Sequence, residues 1–258
     1  MFFVFSKEKI YTYLVSIVTV ILLFCAVSNI NLNNSKTVET SYKEGKLLPI
    51  YQVETQEKKV ALTMNCAWNA DDIDKILNVL NENNVKITFF MVGNWIDKYP
   101  EAVKKIHEAG HEIGSHSDTH PHVNNLSYEK NIEEIEKSND KIEKLTGART
   151  NLYRAPYGEY NDTVIKAATD KGYFTIQWNL DTLDYTGLTG DKMWQRLENK
   201  LMPGSVILTH NGTEHTAESL DMIIKNIKSK GFEITKISDL IYKDNYKINS
   251  AGIQQKNN

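Results

Sequence analysis

Two histidines four residues apart, His116 and His120, sit in the stretch Ser115-His116-Ser117-Asp118-Thr119-His120-Pro121. If that segment takes one helical turn, the spacing aims both imidazoles at one point, a candidate metal site. Surface histidines meet this spacing by chance, so a site also requires a third ligand and a chemical role. Residues of suitable type lie along the chain: Asn65, Cys66, Asp71 and Asp72 before the pair, and Arg154, Asp181, Asp184 and His210 after it. Carboxylates and histidines brought to one place could activate water and move protons.

The elements that must position these residues are legible as hydrophobic periodicity. Ile50–Val53 and Val60–Met64 flank a charged turn and read as a hairpin leading into a buried strand. A helix from Asp72 carries Ile73, Ile76, Leu77 and Leu80 on one face and stops at Asn83-Asn84. Residues 85–92 (VKITFFMV) form the near-continuous apolar run of a strand covered on both sides, and Pro100–Ala109 is a helix with proline at its start and Gly110 past its end. Ser127 caps a long helix ending at Gly147. Strands near Leu152-Tyr153, Phe174–Trp178, Ser205–Leu208 and Phe232–Thr235 alternate with helices at Asn161–Lys171, Leu188–Leu201, Thr216–Lys230 and Ile237–Tyr242.

This alternation predicts an α/β fold, a distorted (β/α) barrel of about seven strands; an open doubly wound sheet would alternate in the same way. The polar residues named above all fall just after strands, and in a barrel those ends converge on one face, where active sites are built.

The formal charge of -3 over 258 residues leaves no basic excess to neutralise phosphates, which argues against nucleic acid as a partner. Ile10–Val27 carries no charge and follows Lys7 and Lys9, the pattern of a membrane helix or signal segment with its N-terminus inside. The expected organisation is an anchor or signal at 1–28, a flexible linker at 29–46, the folded domain at 47–245 and a polar tail at 246–258. The domain would then lie outside the cytoplasm, tethered to the membrane or secreted if the segment is cleaved. The two cysteines, Cys25 and Cys66, are not expected to pair.

From Val60 to Tyr242 the chain resembles the polysaccharide deacetylases of the NodB-homology type, carbohydrate esterase family 4, and is most similar to their sporulation-associated, membrane-anchored branch. The resemblance rests on His116 and His120, on Arg154-Ala155-Pro156-Tyr157-Gly158, on Asp181-Thr182-Leu183-Asp184-Tyr185 and on Leu208-Thr209-His210, in the family's order. It implies an amide hydrolase that removes N-acetyl groups from amino sugars of a cell-wall glycan such as peptidoglycan, with a divalent metal, zinc or cobalt. Under it His116 and His120 are metal ligands, and His210 is the general acid, oriented by Asp184. Tyr157 offers a backbone N–H to the oxyanion, Leu208 lines the acetyl pocket, and Arg154 orients the first-strand carboxylate. Trp178 and Tyr185 offer apolar faces to a sugar ring, and Trp178 has the rival reading of a core residue. His122 and His215 are rim residues without an assigned role.

One motif departs. Where the family carries two aspartates, a base and a metal ligand, this chain has Asn65 and Cys66, and an asparagine accepts no proton at neutral pH. Three readings stay open: Asp71 or Asp72 folds back as base or ligand, against a rival role for Asp71 as helix cap; Cys66 binds the metal as thiolate; or the chain is a weak or inactive homologue that binds wall glycan.

Overall fold

The computed structural model describes residues 46–257, and the anchor and linker readings lie outside them apart from Lys46. Among the described residues no helix is long and apolar enough to cross a membrane. The folded unit runs from Leu47.

Its strands are β1 (Gln52–Val53), β2 (Lys59–Cys66), β3 (Thr88–Met91), β4 (Glu112–Ser115), β5 (Leu152–Tyr153), β6 (Phe174–Thr175), β7 (Leu180–Asp181), β8 (Val206–His210), β9 (Glu233–Thr235), β10 (Tyr246–Ile248) and β11 (Ile253–Lys256). Its helices are α1 (Ile73–Glu82), α2 (Gly93–Lys98), α3 (Pro100–Glu108), α4 (Tyr128–Thr146), α5 (Asp162–Asp170), α6 (Gly190–Leu197), α7 (Thr216–Ser229) and α8 (Ile237–Leu240).

Seven parallel strands follow in the order β6-β5-β4-β3-β2-β8-β7, and β9 pairs with the start of β2. The expected distorted barrel is thus a half-barrel of seven parallel strands. Strand β2 is central because both its faces are apolar or satisfied. Leu62, Met64 and Cys66 pack in the layer beneath the helices, and Thr63 and Thr209 exchange hydroxyl bonds with strand carbonyls at 2.6 Å and 2.9 Å. The β2–β8 register sets Asn65 beside His210, so two residues far apart in sequence share one strand end.

Three local expectations change. The first two strands form no hairpin: β1 pairs in parallel with β11, which returns through an antiparallel β10–β11 pair, in the stretch read as a polar tail. Ile50 and Gln52 bridge to Ile176 and Ser205, so this strap ties the β6 side to the start of β8. Helix α2 lies in a stretch the periodicity did not mark, too short to show a repeat.

At the opposite end of β4 from the site, His111 is buried against Phe89, and its Nδ1 accepts the Ile87 N–H at 3.2 Å. Its Nε2 is buried without a partner, and burial lowers its pKa to about 4. The unfolded chain therefore binds the extra proton first, and stability is lost as pH falls from the ordinary 6.5 towards 4. The loss amounts to up to about 3 kcal/mol. Urea unfolding at pH 7 and pH 4.5 should show a smaller acid loss for His111→Gln than for wild type; an equal loss places the acid sensitivity elsewhere.

Candidate active site

The strand ends open into a cavity of about 520 Å³. Asn65, His116, His120, Tyr157, Trp178, Tyr185, Leu208 and His210 all line it, as do Trp68, Asn94 and Asp181. The fold thus brings together most of the residues singled out from sequence.

His116 continues β4 with its N–H bonded to the Met91 carbonyl, and its Nδ1 donates to the Arg154 carbonyl at 2.7 Å. That bond fixes the tautomer and leaves Nε2 with its lone pair free for the cavity. Burial, reinforced by the neighbouring His120, holds the His116 pKa well below its usual value, and burial lowers that of His120 as well. The two rings stand 4.9 Å apart at 76°.

The segment joining them is not the helical turn the spacing suggested. Ser117 and His120 both have φ near +60°, a region that L side chains rarely adopt, so the loop must be held from outside. The N-terminus of α2 donates the Gly93 and Asn94 N–H groups to the Ser117 and Asp118 carbonyls at 2.9 Å and 2.8 Å. A Cβ on Gly93 would meet the Asp118 side chain at 2.0 Å, so only glycine permits this approach. From α4, Glu134 accepts the N–H groups of Asp118 and Thr119 at 3.0 Å and 2.8 Å and the Thr119 hydroxyl at 2.9 Å. Lys141 binds Asp118 at 2.5 Å.

His210 donates from Nδ1 to Asp184 at 2.8 Å, which presents Nε2 as the nitrogen available to a leaving group. The fully buried Asp184 also accepts the N–H groups of His210 and Tyr185 and the Thr216 hydroxyl, at 2.6 Å, 2.9 Å and 2.7 Å. Thr216 is a positioning residue the sequence reading missed; its only signal is its place at the start of α7, directly after the β8 loop. Leu208 is buried beside His210, and Trp178 is half-buried at the cavity wall, so it serves both the core and the cavity.

Arg154 lies fully buried in the barrel. It donates to Asn65 Oδ1 at 2.9 Å and to the Ile176 and Gln177 carbonyls at 3.3 Å, with the Phe90 ring face 4.1 Å away. Burial lowers its pKa to about 9, so it stays a cation at neutral pH. The bond to Arg154 occupies the Asn65 oxygen and leaves that residue's NH₂, which is a donor only.

The remaining first-strand candidates go elsewhere. Asp71 is exposed, outside the cavity lining, with its own N–H bonded to Asn69. Asp72 precedes α1, but its carboxylate crosses to the β8 loop, where it accepts from Asn211 at 3.2 Å and Gly212 at 2.7 Å. Cys66 points into the helix-covered core, and burial raises its thiol pKa well above the usual value, so a thiolate ligand is disfavoured. Among the described residues no group of three or more His, Cys, Asp or Glu converges to hold a metal. The donor set therefore offers two histidine nitrogens and falls short of the three protein ligands of a catalytic zinc centre.

The strand ends of the half-barrel thus gather a histidine pair, a buried arginine and a hydrogen-bonded histidine–aspartate pair, groups that could serve hydrolysis. A family model described as polysaccharide deacetylase matches residues 52–176. A peptidoglycan-N-acetylglucosamine deacetylase of Bacillus cereus is 34% identical over 67% of this chain and 64% of its own length. The uncharacterized protein YlxY of Bacillus subtilis is 35% identical over 75% of this chain and 60% of its own. The chain thus spans about three fifths of these relatives. The solved structure of a CE4 family pseudoenzyme from Bacillus anthracis superposes with a TM-score of 0.72 at 35% identity, covering 76% of this chain and 69% of that one. A mutant of that pseudoenzyme is described as having restored enzymatic activity. The chain belongs to the polysaccharide deacetylase family, carbohydrate esterase family 4, whose members include hydrolases of amide bonds in peptidoglycan.

Removal of the Glu134 acceptor should loosen the histidine loop without touching the acid pair. Glu134→Ala is expected to cost about 1–3 kcal/mol in urea unfolding. It should also shift the imidazole NMR signals of His116 and His120 while leaving those of His210 in place. Unmoved signals at all three histidines mean that α4 does not position the loop.

Proposed function

We propose that the chain is a slow N-deacetylase of N-acetylated amino sugars in peptidoglycan or a related wall glycan. The reading rests on one arrangement: His210, bonded to Asp184, shares a strand end with Asn65 across the β2–β8 register, and both line the cavity. Hydrolysis of an acetamide needs water added to the carbonyl carbon and a proton delivered to the departing amine nitrogen. His210 can supply that proton from Nε2, because Asp184 holds Nδ1. Asn65 can orient the water through its NH₂ but cannot take its proton, so that proton must pass to solvent water in the open cavity, which makes the addition slow.

The family implies a divalent metal, zinc or cobalt, that would polarise the carbonyl and acidify the water. Here His116 and His120 would offer it two nitrogens. The sequence of Ile10–Val27 supports a membrane tether or secretion, with the domain acting on the wall outside the cytoplasm, and membership of a sporulation-associated branch belongs to the same proposal.

A second reading has its own observation. The Arg154–Asn65 bond keeps the pocket's shape with a neutral partner, as would suit a protein that holds wall glycan without cleaving it, and a relative of this fold is described as a pseudoenzyme.

Acetate release from N-acetylated peptidoglycan, with zinc or cobalt added, separates the two. Wild type should release acetate slowly and His210→Ala should abolish it. If wild type releases no more than His210→Ala, the glycan-holding reading stands instead. Asn65→Asp places a carboxylate against the Arg154 cation and should raise the rate by roughly 10²–10⁴-fold, the contribution of a positioned general base. An unchanged rate in Asn65→Asp means that the missing carboxylate is not what limits the reaction.

A further inference from the structure

We infer that Asp181 sorts the sugars that reach the cavity by charge, admitting an uncharged N-acetylated sugar and turning away one that bears a free carboxylate. The inference rests on the glycan reading above and deepens it by naming the residue that would choose among such sugars.

The lining of the cavity is lopsided in charge. Among the described residues that form it, Asp181 alone carries a carboxylate, and none carries an ammonium or a guanidinium. The next carboxylate, Asp184, lies fully buried behind His210 and adds charge of the same sign. Two cations stand near Asp181, but neither lines the cavity. Arg154 is fully buried with its donors spent on Asn65 and two carbonyls, and Arg196 gives its Nε–H to the Asp181 carbonyl at 2.9 Å. The phenol of Tyr185, on the same lining, registers the balance: its pKa is raised by burial, then by the charges of Asp181 and Asp184, with Arg196 opposing them least. At that edge of the cavity the carboxylates outweigh the arginine.

The charge is also held in place. Asp181 ends β7, where the register sets it beside Leu208 of β8. Thr182 donates its N–H and its hydroxyl to the Leu208 carbonyl at 3.3 Å and 2.8 Å, which fixes the chain directly after the carboxylate. Asp181 Oδ1 accepts the Leu183 N–H at 2.8 Å and closes a turn in which Leu183 has φ +52°. A half-buried charge fixed in this way is screened less than one on a mobile surface chain, so one residue can discriminate.

The two N-acetylated sugars of peptidoglycan differ by one substituent, a lactyl ether that ends in a carboxylate wherever no peptide is attached to it. In this cavity such a carboxylate would face Asp181 with no cation in the lining to pair with it, and an unpaired like charge costs affinity. N-acetylglucosamine carries no charge and meets no such opposition.

The test uses the disaccharide of N-acetylglucosamine and N-acetylmuramic acid, as the free acid and as its methyl ester, which differ chiefly in charge. In ligand-observed NMR titrations of the full chain, in metal-free buffer of low salt, wild type should bind the ester about tenfold more tightly than the acid, the scale of one like-charge contact at a half-exposed edge. The ratio should fall at about 0.5 M salt, as a merely steric preference would not. Asp181→Asn keeps an oxygen for the Leu183 N–H and removes only the charge. It should bring the ratio to within about twofold by improving the acid more than the ester, with the His210 imidazole signals in place. Equal binding of acid and ester by wild type, or a ratio that survives in Asp181→Asn, overturns the sorting and leaves the deacetylase reading intact. Binding of neither ligand overturns the sorting as well, and if peptidoglycan then yields no acetate the deacetylase reading falls with it.

Discussion

A guanidinium shut away from water in the middle of the half-barrel is the constraint on which this site depends. A buried cation is costly unless its donors find acceptors, and Arg154 finds them in the Ile176 and Gln177 carbonyls, in the Asn65 side chain and in the face of Phe90. Its own carbonyl in turn receives His116 Nδ1. One residue thus links β5, β6, β2 and β4 at the level where the cavity begins, and it fixes both His116 and Asn65, which face the cavity. Among the described residues no carboxylate bonds to it, although Asp181 lies close enough to favour its charge.

Around that centre the site is assembled by parts with little local stability of their own. The histidine loop carries two residues in the left-handed region and is held by backbone donors from α2 and by carboxylate acceptance from α4. His210 depends on Asp184, whose other bonds come from the start of α7 and from its own turn. Asp72, first a candidate catalytic group, instead fastens the loop after β2 to the loop after β8. The charged residues near the cavity therefore divide into those that face it and those that keep its loops in register.

The parts legible in sequence were those that repeat or alternate. The apolar run around Phe89-Phe90, the face of α1, and the Ser127 and Gly147 caps of α4 follow from periodicity and backbone chemistry alone. The gathering of polar residues at strand ends was legible for the same reason. What was not legible depends on contacts between distant segments: the pairing of β1 with β11, the reach of Asp72 to Gly212 and the hold of Glu134 on Asp118 leave no local pattern. Cys66 shows the limit most clearly. Motif position allowed it to be a ligand, but the alternation of β2, with Leu62 and Met64 on the same side, turns it into the core.

The replacement at Asn65 changes almost nothing in shape. An amide and a carboxylate have nearly the same outline, and an oxygen still meets Arg154 at 2.9 Å. What changes is one atom, because the second acceptor of a carboxylate becomes an NH₂ donor. A water placed there would be hydrogen-bonded in the wrong sense for losing its proton, while His210 on the adjacent strand keeps both its bonds to Asp184. Asn65 and His210 stand side by side but are held by different partners, Arg154 and Asp184, so a change at one need not disturb the other. Cys66, turned into the core, withholds a second group from the cavity, so two positions of β2 rather than one separate this site from one with a full set of carboxylates.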